Sequence, residues 1–244
     1  MRLIQLSDCH LYADPQARSR CGNPARQLAA VVAAADALRP DLVLVTGDIS
    51  QDETQGAYHL AADALARLDC PWYWIPGNHD DPELMNAVQE VVTEVASRHW
   101  RILQLDTHIE GDVRGEVGEQ QLARLQQQLA EDDRPTLIAM HHPPVEVGST
   151  WMDAISLGDQ QAFWAVLDNA PQVRMVICGH VHHAFQARVD TTQGHVEVYA
   201  CPSTSDQFLA GSDEFAVDEA SRPGLRVIDL QRDSWQTWVE RVDV

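Results

Sequence analysis

The sequence predicts an α/β fold, on two observations of pattern and one of chemistry. As far as about His183, short aliphatic or β-branched runs alternate with amphipathic stretches, an order that builds a sheet flanked by helices. From Phe185 onward the pattern changes to short alternating strands. The strands of the first part also end, one after another, on Asp, Asn or His. Ligands of open α/β sheets bind outside the carboxyl ends of the strands, so the chemistry of this chain is expected there.

Arg2 to Ser7 reads as the first strand and runs into Asp8-Cys9-His10. Asn23-Pro24 supplies an N-cap and a first-turn proline for a helix through Ala37 or Leu38. Asp41 to Thr46 is a second strand closed by Gly47-Asp48, and a helix is expected from about Thr54 to Leu68. Trp72 to Ile75 is a third strand, leading into Pro76-Gly77-Asn78-His79-Asp80. In that turn Gly77 gives backbone freedom, Asn78 offers a neutral oxygen to a cation, and His79 a proton donor or acceptor near neutral pH. Asp81 before Pro82 marks the N-cap of a helix predicted to about Val95.

Trp100 to Leu105 is a strand, and Gly118-Glu119 opens a helix with Leu122, Leu125 and Leu129 at three- and four-residue steps. The strand Thr136 to Met140 ends at His141-His142-Pro143-Pro144. Gly158 to Leu167 is predicted helical, and the strand Val173 to Cys178 ends at Gly179-His180-Val181-His182-His183. Four further strands follow, at Phe185 to Val189, Val196 to Ala200, Leu225 to Leu230 and Trp235 to Val239. Ser203 to Pro223 is long, polar and acidic, and reads either as an ordinary surface loop or as a cover over the site.

Length and composition suit one folded domain over residues 1–244. The formal net charge is −20 and all 17 basic residues are arginine, a surface that repels nucleic acid. An anionic small molecule is admitted only where something locally positive receives it. The five cysteines (Cys9, Cys21, Cys70, Cys178, Cys201) are odd in number and lack CxxC spacing, as expected of free thiols in a reducing cytosol. Met1 to Leu6 enters a strand directly and no apolar run approaches ~18 residues, so a soluble cytoplasmic protein without a membrane partner is expected. Oligomerisation leaves no signature, and Trp235 and Trp238 read as core rather than interface.

The polar strand exits are Asp8/His10, Asp48, Asn78/His79, His141/His142 and His180/His182. Residues two apart on a strand point the same way, so Asp8 with His10, and His180 with His182, are expected to face one pocket. Cys9 and Val181 would then turn into the core. One such pair is weak evidence, because a lone strand-end histidine is usually structural; five exits in succession are hard to obtain as turn chemistry.

The series D-x-H, G-D, G-N-H-D, H-H-P and G-H-x-H resembles the calcineurin-like metallophosphoesterase superfamily over essentially the whole chain. Thr46 to Asp52, Ile75 to Asp80, His141-His142-Pro143, Cys178 to His182, and Pro202-Ser203-Thr204 with Gln207-Phe208 resemble the bacterial class III 3′,5′-cyclic-AMP phosphodiesterases within it. The resemblance implies a four-layer αββα sandwich of two mixed β-sheets flanked by helices. It implies one metal on Asp8, His10, Asp48 and His182 and a second on Asp48, Asn78, His141 and His180, bridged by Asp48. Asp48, Asn78 and His79 would be catalytic, with His79 protonating the leaving oxygen. His10, Asp48, Asn78, His79 and His182 would contact the nucleotide. His142 would stand beside the ligands, and His183 would be a polar strand residue without a role.

The implied reaction is hydrolysis of cyclic AMP to AMP by hydroxide generated between two metals. An oxygen and nitrogen ligand set suits Fe, Mn or Zn, in divalent or mixed-valence pairs. Two divalent ions, two aspartates and a hydroxide leave about +1, enough to receive a phosphodiester on an acidic protein. Glycerophosphodiesters, other cyclic nucleotides and phosphomonoesters are cleaved by the same motifs, and the loops Tyr12 to Cys21 and Ser203 to Pro223 are expected to choose among them. A non-catalytic scaffold would be expected to have lost ligands, and none is missing.

Overall fold

The computed structural model describes every residue from Met1 to Val244. The first sheet contains β1 (Arg2–Leu6), β2 (Leu42–Thr46), β3 (Trp72–Ile75), β10 (Gly224–Leu230) and β11 (Trp235–Arg241), in the order β11-β10-β1-β2-β3. β1, β2 and β3 are parallel, while β10 and β11 join antiparallel. The second sheet contains β4 (Glu94–Val95), β5 (Arg101–Gln104), β6 (Thr136–Ala139), β7 (Val173–Cys178), β8 (Phe185–Thr191) and β9 (Gly194–Ala200), in the order β4-β5-β6-β7-β9-β8. Both sheets are mixed, as the resemblance implied.

The four layers follow from strands apolar on both faces. Leu3, Leu42 and Leu44 of the first sheet meet Ile102, Leu137, Ala139, Met175 and Ile177 of the second in one buried core. The alternate residues Ile4, Leu6, Val43 and Val45 point outward to Leu28, Val31 and Val32 of α1 (Pro24–Ala37) and Tyr58 and Ala61 of α2 (Gln55–Leu65). Ile138, Met140 and Val176 likewise face Leu125 and Leu129 of α4 (Glu119–Glu131) and Phe163 of α6 (Gln160–Leu167). The two-residue period of each strand thus separates the inter-sheet core from the two helical faces.

Three predicted helix boundaries move, while β8, β9 and β11 each run two residues longer than predicted and β5 is a residue shorter at each end. α2 starts after its Thr54 cap, as expected, but ends at Leu65, and Leu68 tucks into the core from the turn beyond. α3 spans only Pro82–Val88, not the predicted length to Val95. Beyond it Val91 N–H donates to Asn86, Gln104 N–H to the Thr93 carbonyl and the Gln104 side-chain amide to the Val92 carbonyl, drawing a β-branched run to the sheet edge. α6 begins two residues late because the Asp159 carboxylate receives the N–H groups of Val117 and Gly118. A short helix, α5 (Thr150–Asp153), and the two-residue strand β4 are additional to the sequence reading.

Trp235 and Trp238 are half-buried and pack against the inter-sheet and first helical cores. No helix is long and apolar enough to cross a membrane. The sheets' carboxyl ends are left carrying the polar exits.

Candidate metal centre

Five residues at these exits adopt left-handed backbone: Asp8 (φ 56°), His10 (47°), Asp48 (51°), His180 (69°) and His182 (51°). Strand alternation, the reason expected from sequence, is therefore not what aims Asp8 and His10, because β1 stops at Leu6. Beyond it the chain is laid against the Asp48 loop, Asp8 N–H donating to the Gly47 carbonyl and His10 N–H to the Asp48 carbonyl. Side chains in this backbone region cost about 1–3 kcal/mol each and persist only where the surroundings over-determine them. Cys9 and Val181 between them turn into the two helical cores, as predicted.

Gly77 serves by absence rather than by turning. A Cβ there would lie 2.2 Å from Asp48 Oδ1 and 2.8 Å from the His141 ring, so only glycine lets the two loops close.

The ligand-type atoms of Asp8, His10, Asp48 and His182 lie within 4.8 Å of one another. His10 Nε2 is 3.0 Å from His182 Nε2 and 3.5 Å from Asp48 Oδ2, and His182 Nε2 is 3.5 Å from Asp8 Oδ1. On the other side, His141 Nε2 is 3.1 Å from Asn78 Oδ1, 3.2 Å from His180 Nδ1 and 3.4 Å from Asp48 Oδ1. Asp48 thus turns one oxygen to each group. Every residue predicted to hold a metal is in one of the two.

His142 also lies within reach of His141 and His180. Its Nδ1 is engaged by Thr107 Oγ1 at 2.7 Å and its Nε2 by the Val113 carbonyl at 3.3 Å, so it has no lone pair to offer. It remains a neighbour, as expected. His183, predicted to be a polar strand residue, instead occupies the bend before β8 and is buried there.

The donor set fits cations. Asp8 and Asp48 are buried, with no arginine against either. Burial pushes Asp8 up to about 7, Asp48 adding to the rise while His141 opposes it. Burial would raise Asp48 too, but His141, His10 and His79 outweigh it and hold it well below the usual carboxylate range. Burial would lower His141, yet Asp48 and Asp8 raise it to about 9. That field retains a proton where a cation would gain the same attraction.

Burial lowers His10 to about 4, His180 to about 3 and His182 well below its ordinary value, leaving neutral imidazoles with lone pairs at pH 7. Two of the site's imidazoles, His141 and His182, are oriented from behind. His141 Nδ1–H donates to the Thr46 carbonyl at 2.8 Å and His182 Nδ1–H to the Asp206 carbonyl at 2.7 Å, directing each Nε2 to the centre.

Several supporting residues were given no role in the sequence reading. The Asp80 carboxylate receives the N–H groups of Ile49, Ser50 and Gly77, clamping the Asp48 loop to the Asn78 loop. The Ser203 and Ser205 hydroxyls donate to the Asp8 carbonyl. Ser203 to Gln207 are therefore buried beneath the site rather than exposed, while Phe208 and Phe215 of the same segment line the cavity above it. Asp80 follows directly on Asn78-His79 at the third strand exit, a position that marked it. Ser203 was marked only as part of the Pro202-Ser203-Thr204 resemblance, and Ser205 by nothing.

The cavity is about 730 Å³ and is lined by His10, Asp48, Asn78, His79, His180 and His182 at its floor. A family model for calcineurin-like phosphoesterases matches residues 1–184. The chain belongs to that family. Calcineurin-like phosphoesterases hydrolyse phosphoesters, and the Asp/His cluster here supports a binuclear site for divalent metal. The 3′,5′-cyclic adenosine monophosphate phosphodiesterase CpdA of Vibrio vulnificus is 36% identical over 94% of this chain and 85% of its own length. The protein of the same name from Pseudomonas aeruginosa is 37% identical over 99% of this chain and 90% of its own. A dimetal phosphatase from Danio rerio superposes with a TM-score of 0.70 over 99% of both chains at 14% identity, a likeness of fold alone.

Proposed function

We propose that this chain, acting as one catalytic domain in the cytoplasm, hydrolyses 3′,5′-cyclic AMP to AMP with two iron, manganese or zinc ions. Asp8, His10, Asp48 and His182 would hold one ion, and Asp48, Asn78, His141 and His180 the other. The observation that carries the reading is Asp48, whose Oδ2 faces His10 at 3.5 Å while its Oδ1 faces His141 at 3.4 Å. The substrate is argued from the Vibrio and Pseudomonas relatives, whose names specify cyclic AMP. The compartment accords with five free cysteines.

When bound, the ion pair lowers the pKa of a water and supplies positive charge to the phosphoryl oxygens. The chain's own residues do the rest. Asn78 turns Oδ1 toward His141, which leaves its side-chain N–H groups to donate to a phosphoryl oxygen. Gln51 faces His79 Nδ1 at 3.4 Å; with its amide donating, the ring's proton is held on Nε2. His79 N–H donates to Asp48 Oδ1 at 2.9 Å and its ring meets His10 edge-on, which supports a proton donor at the edge of the ligand cluster, where the phosphorus would sit. As water gives one proton to solvent and adds to phosphorus, the P–O3′ bond breaks; His79 delivers its Nε2 proton to the departing oxygen and is reprotonated from solvent. AMP remains, with its phosphate on the ribose 5′-oxygen.

The test is turnover of cyclic AMP by metal-replete protein and by Asp48→Ala. Equal rates defeat the two-metal reading. A panel adding cyclic GMP and a glycerophosphodiester tests the substrate, and a higher kcat/KM on the latter would displace cyclic AMP.

A further inference from the structure

Phosphoester chemistry uses the floor of the cavity, yet one wall is of another kind. Trp151, Phe208 and Phe215 all line it. They form a closed triangle of edge-on contacts, with centroids 5.4 Å (Trp151–Phe208), 5.2 Å (Trp151–Phe215) and 5.2 Å (Phe208–Phe215) apart. The wall is continuous with the metal centre, because Phe208 lies flat on the His182 ring at 3.8 Å and 6°. Phe215 is 45% exposed and carries the Arg20 guanidinium over its face at 4.8 Å. Trp151 belongs to α5 and the phenylalanines to the segment after Gln207. Two hydrogen bonds pin these together, Gly211 N–H to Ser149 Oγ and Thr150 Oγ1–H to Asp213 Oδ1.

An ordered aromatic face left open beside a strongly polar centre needs a flat apolar occupant. The substrate itself imposes the same geometry: its phosphate belongs on the floor, and the remainder must extend along a wall. A glycerol ester would set polar, flexible groups against three aromatic side chains, and a choline ester would bring its cation, though aromatic rings attract one, up against the Arg20 guanidinium that already covers Phe215. A nucleobase has a π-face that stacks on such rings and gains further from a neighbouring guanidinium.

We propose that Trp151, Phe208 and Phe215, with Arg20, form a nucleobase subsite that makes this centre selective for nucleotide phosphodiesters over base-free ones. The inference rests on the phosphodiesterase reading of the floor. The wall binds the base in substrate and product alike. Its contribution therefore falls on KM and on product affinity, not on kcat.

The experiment measures calorimetric binding of AMP and of ribose 5-phosphate to metal-replete wild-type protein, Phe215→Ala and Trp151→Ala, with cyclic AMP turnover alongside. Phe215 is exposed enough that its removal spares the fold, and a thermal melt with metal analysis verifies this for both variants. Wild type is expected to favour AMP, and each variant to weaken AMP roughly 5- to 100-fold while ribose 5-phosphate is unchanged. KM for cyclic AMP should rise in step. Equal affinity of wild type for the two ligands, or parallel losses of both in the variants, overturns the subsite even if cyclic AMP is hydrolysed. A wild type that binds AMP selectively through these rings but leaves cyclic AMP intact upholds the subsite and overturns the phosphodiesterase reading.

Discussion

At the carboxylate and histidine end of the cavity, the loops that carry the side chains are tied to one another through backbone groups. Asp8 illustrates it: its N–H is bonded to Gly47, its carbonyl takes the Ser203 and Ser205 hydroxyls, and its carboxylate receives the His180 N–H. At the aromatic end, the rings come from a four-residue helix and from a segment folded back on itself by Leu209 N–H to the Ala216 carbonyl and Asp218 N–H to the Gln207 carbonyl, and two side-chain hydrogen bonds join the two pieces. Chemistry that depends on placing charge needs the first construction, since a small displacement of a ligand or donor is costly. Recognition of a flat group tolerates the second. Substitutions at the two ends should therefore fail differently, one end through kcat and metal content, the other through KM.

The largest effect is expected from Asp48→Ala, which removes the atoms common to both groups. Cyclic AMP turnover should fall below detection and the metal content of purified protein should drop, as read by elemental analysis. A variant that loses turnover at full metal content would mean that Asp48 positions His79 alone. His79→Ala should come next, with kcat reduced about 10²–10⁴-fold, the usual worth of a positioned proton donor. Its metal content should stay at the wild-type level. A metal loss equal to that of Asp48→Ala would place His79 among the ligands instead.

Asp80→Asn tests whether the fixed backbone itself matters. Three N–H groups converge on this buried carboxylate, and the substitution replaces one acceptor oxygen with a donor at unchanged volume. Loosening the Asp48 loop from the Asn78 loop should cost roughly 10–100-fold in metal affinity or turnover, as changes behind a ligand usually do. Metal titration of the variant would show it. Wild-type affinity together with a lower melting temperature would reduce Asp80 to a purely structural residue.

The same contrast explains how much was legible in the sequence. Ligand groups announce themselves by type: Asp8, Asp48, Asn78 and the histidines stood at strand exits where apolar or turn residues are usual. The strands were legible because both faces are buried, which leaves continuous apolar runs such as Leu42 to Val45. Their aim was misjudged, because left-handed backbone at Asp8 and His10 depends on contacts with the Asp48 loop that no local pattern encodes. Trp151 and Phe215 were illegible for the opposite reason: an aromatic residue in a loop looks the same whether it fills a core or faces a ligand. α3 was overextended because Gln89-Glu90 suit a helix locally, while the β-branched run Val91 to Thr93 is drawn to the sheet edge beside β5.

The smallest effect, and the sharpest division of the two ends, is expected at Asp206. Its backbone carbonyl receives His182 Nδ1–H and so serves the metal centre. Its carboxylate receives Ser19 Oγ–H and the N–H groups of Arg20 and Cys21, and so fixes the loop that carries Arg20 over Phe215. Asp206→Ala leaves the first contact in place and abolishes the second set. Each lost acceptor is worth about 1–3 kcal/mol when its donor is sealed off, but here the donors can turn to solvent once the loop lifts. Amide exchange at Arg20 and Cys21 should accelerate by roughly an order of magnitude, in line with such a loss. KM for cyclic AMP should rise a few-fold, while kcat and metal content hold. A fall in kcat instead would mean that the loop also governs the His182 side, and the independence of the two ends would be lost.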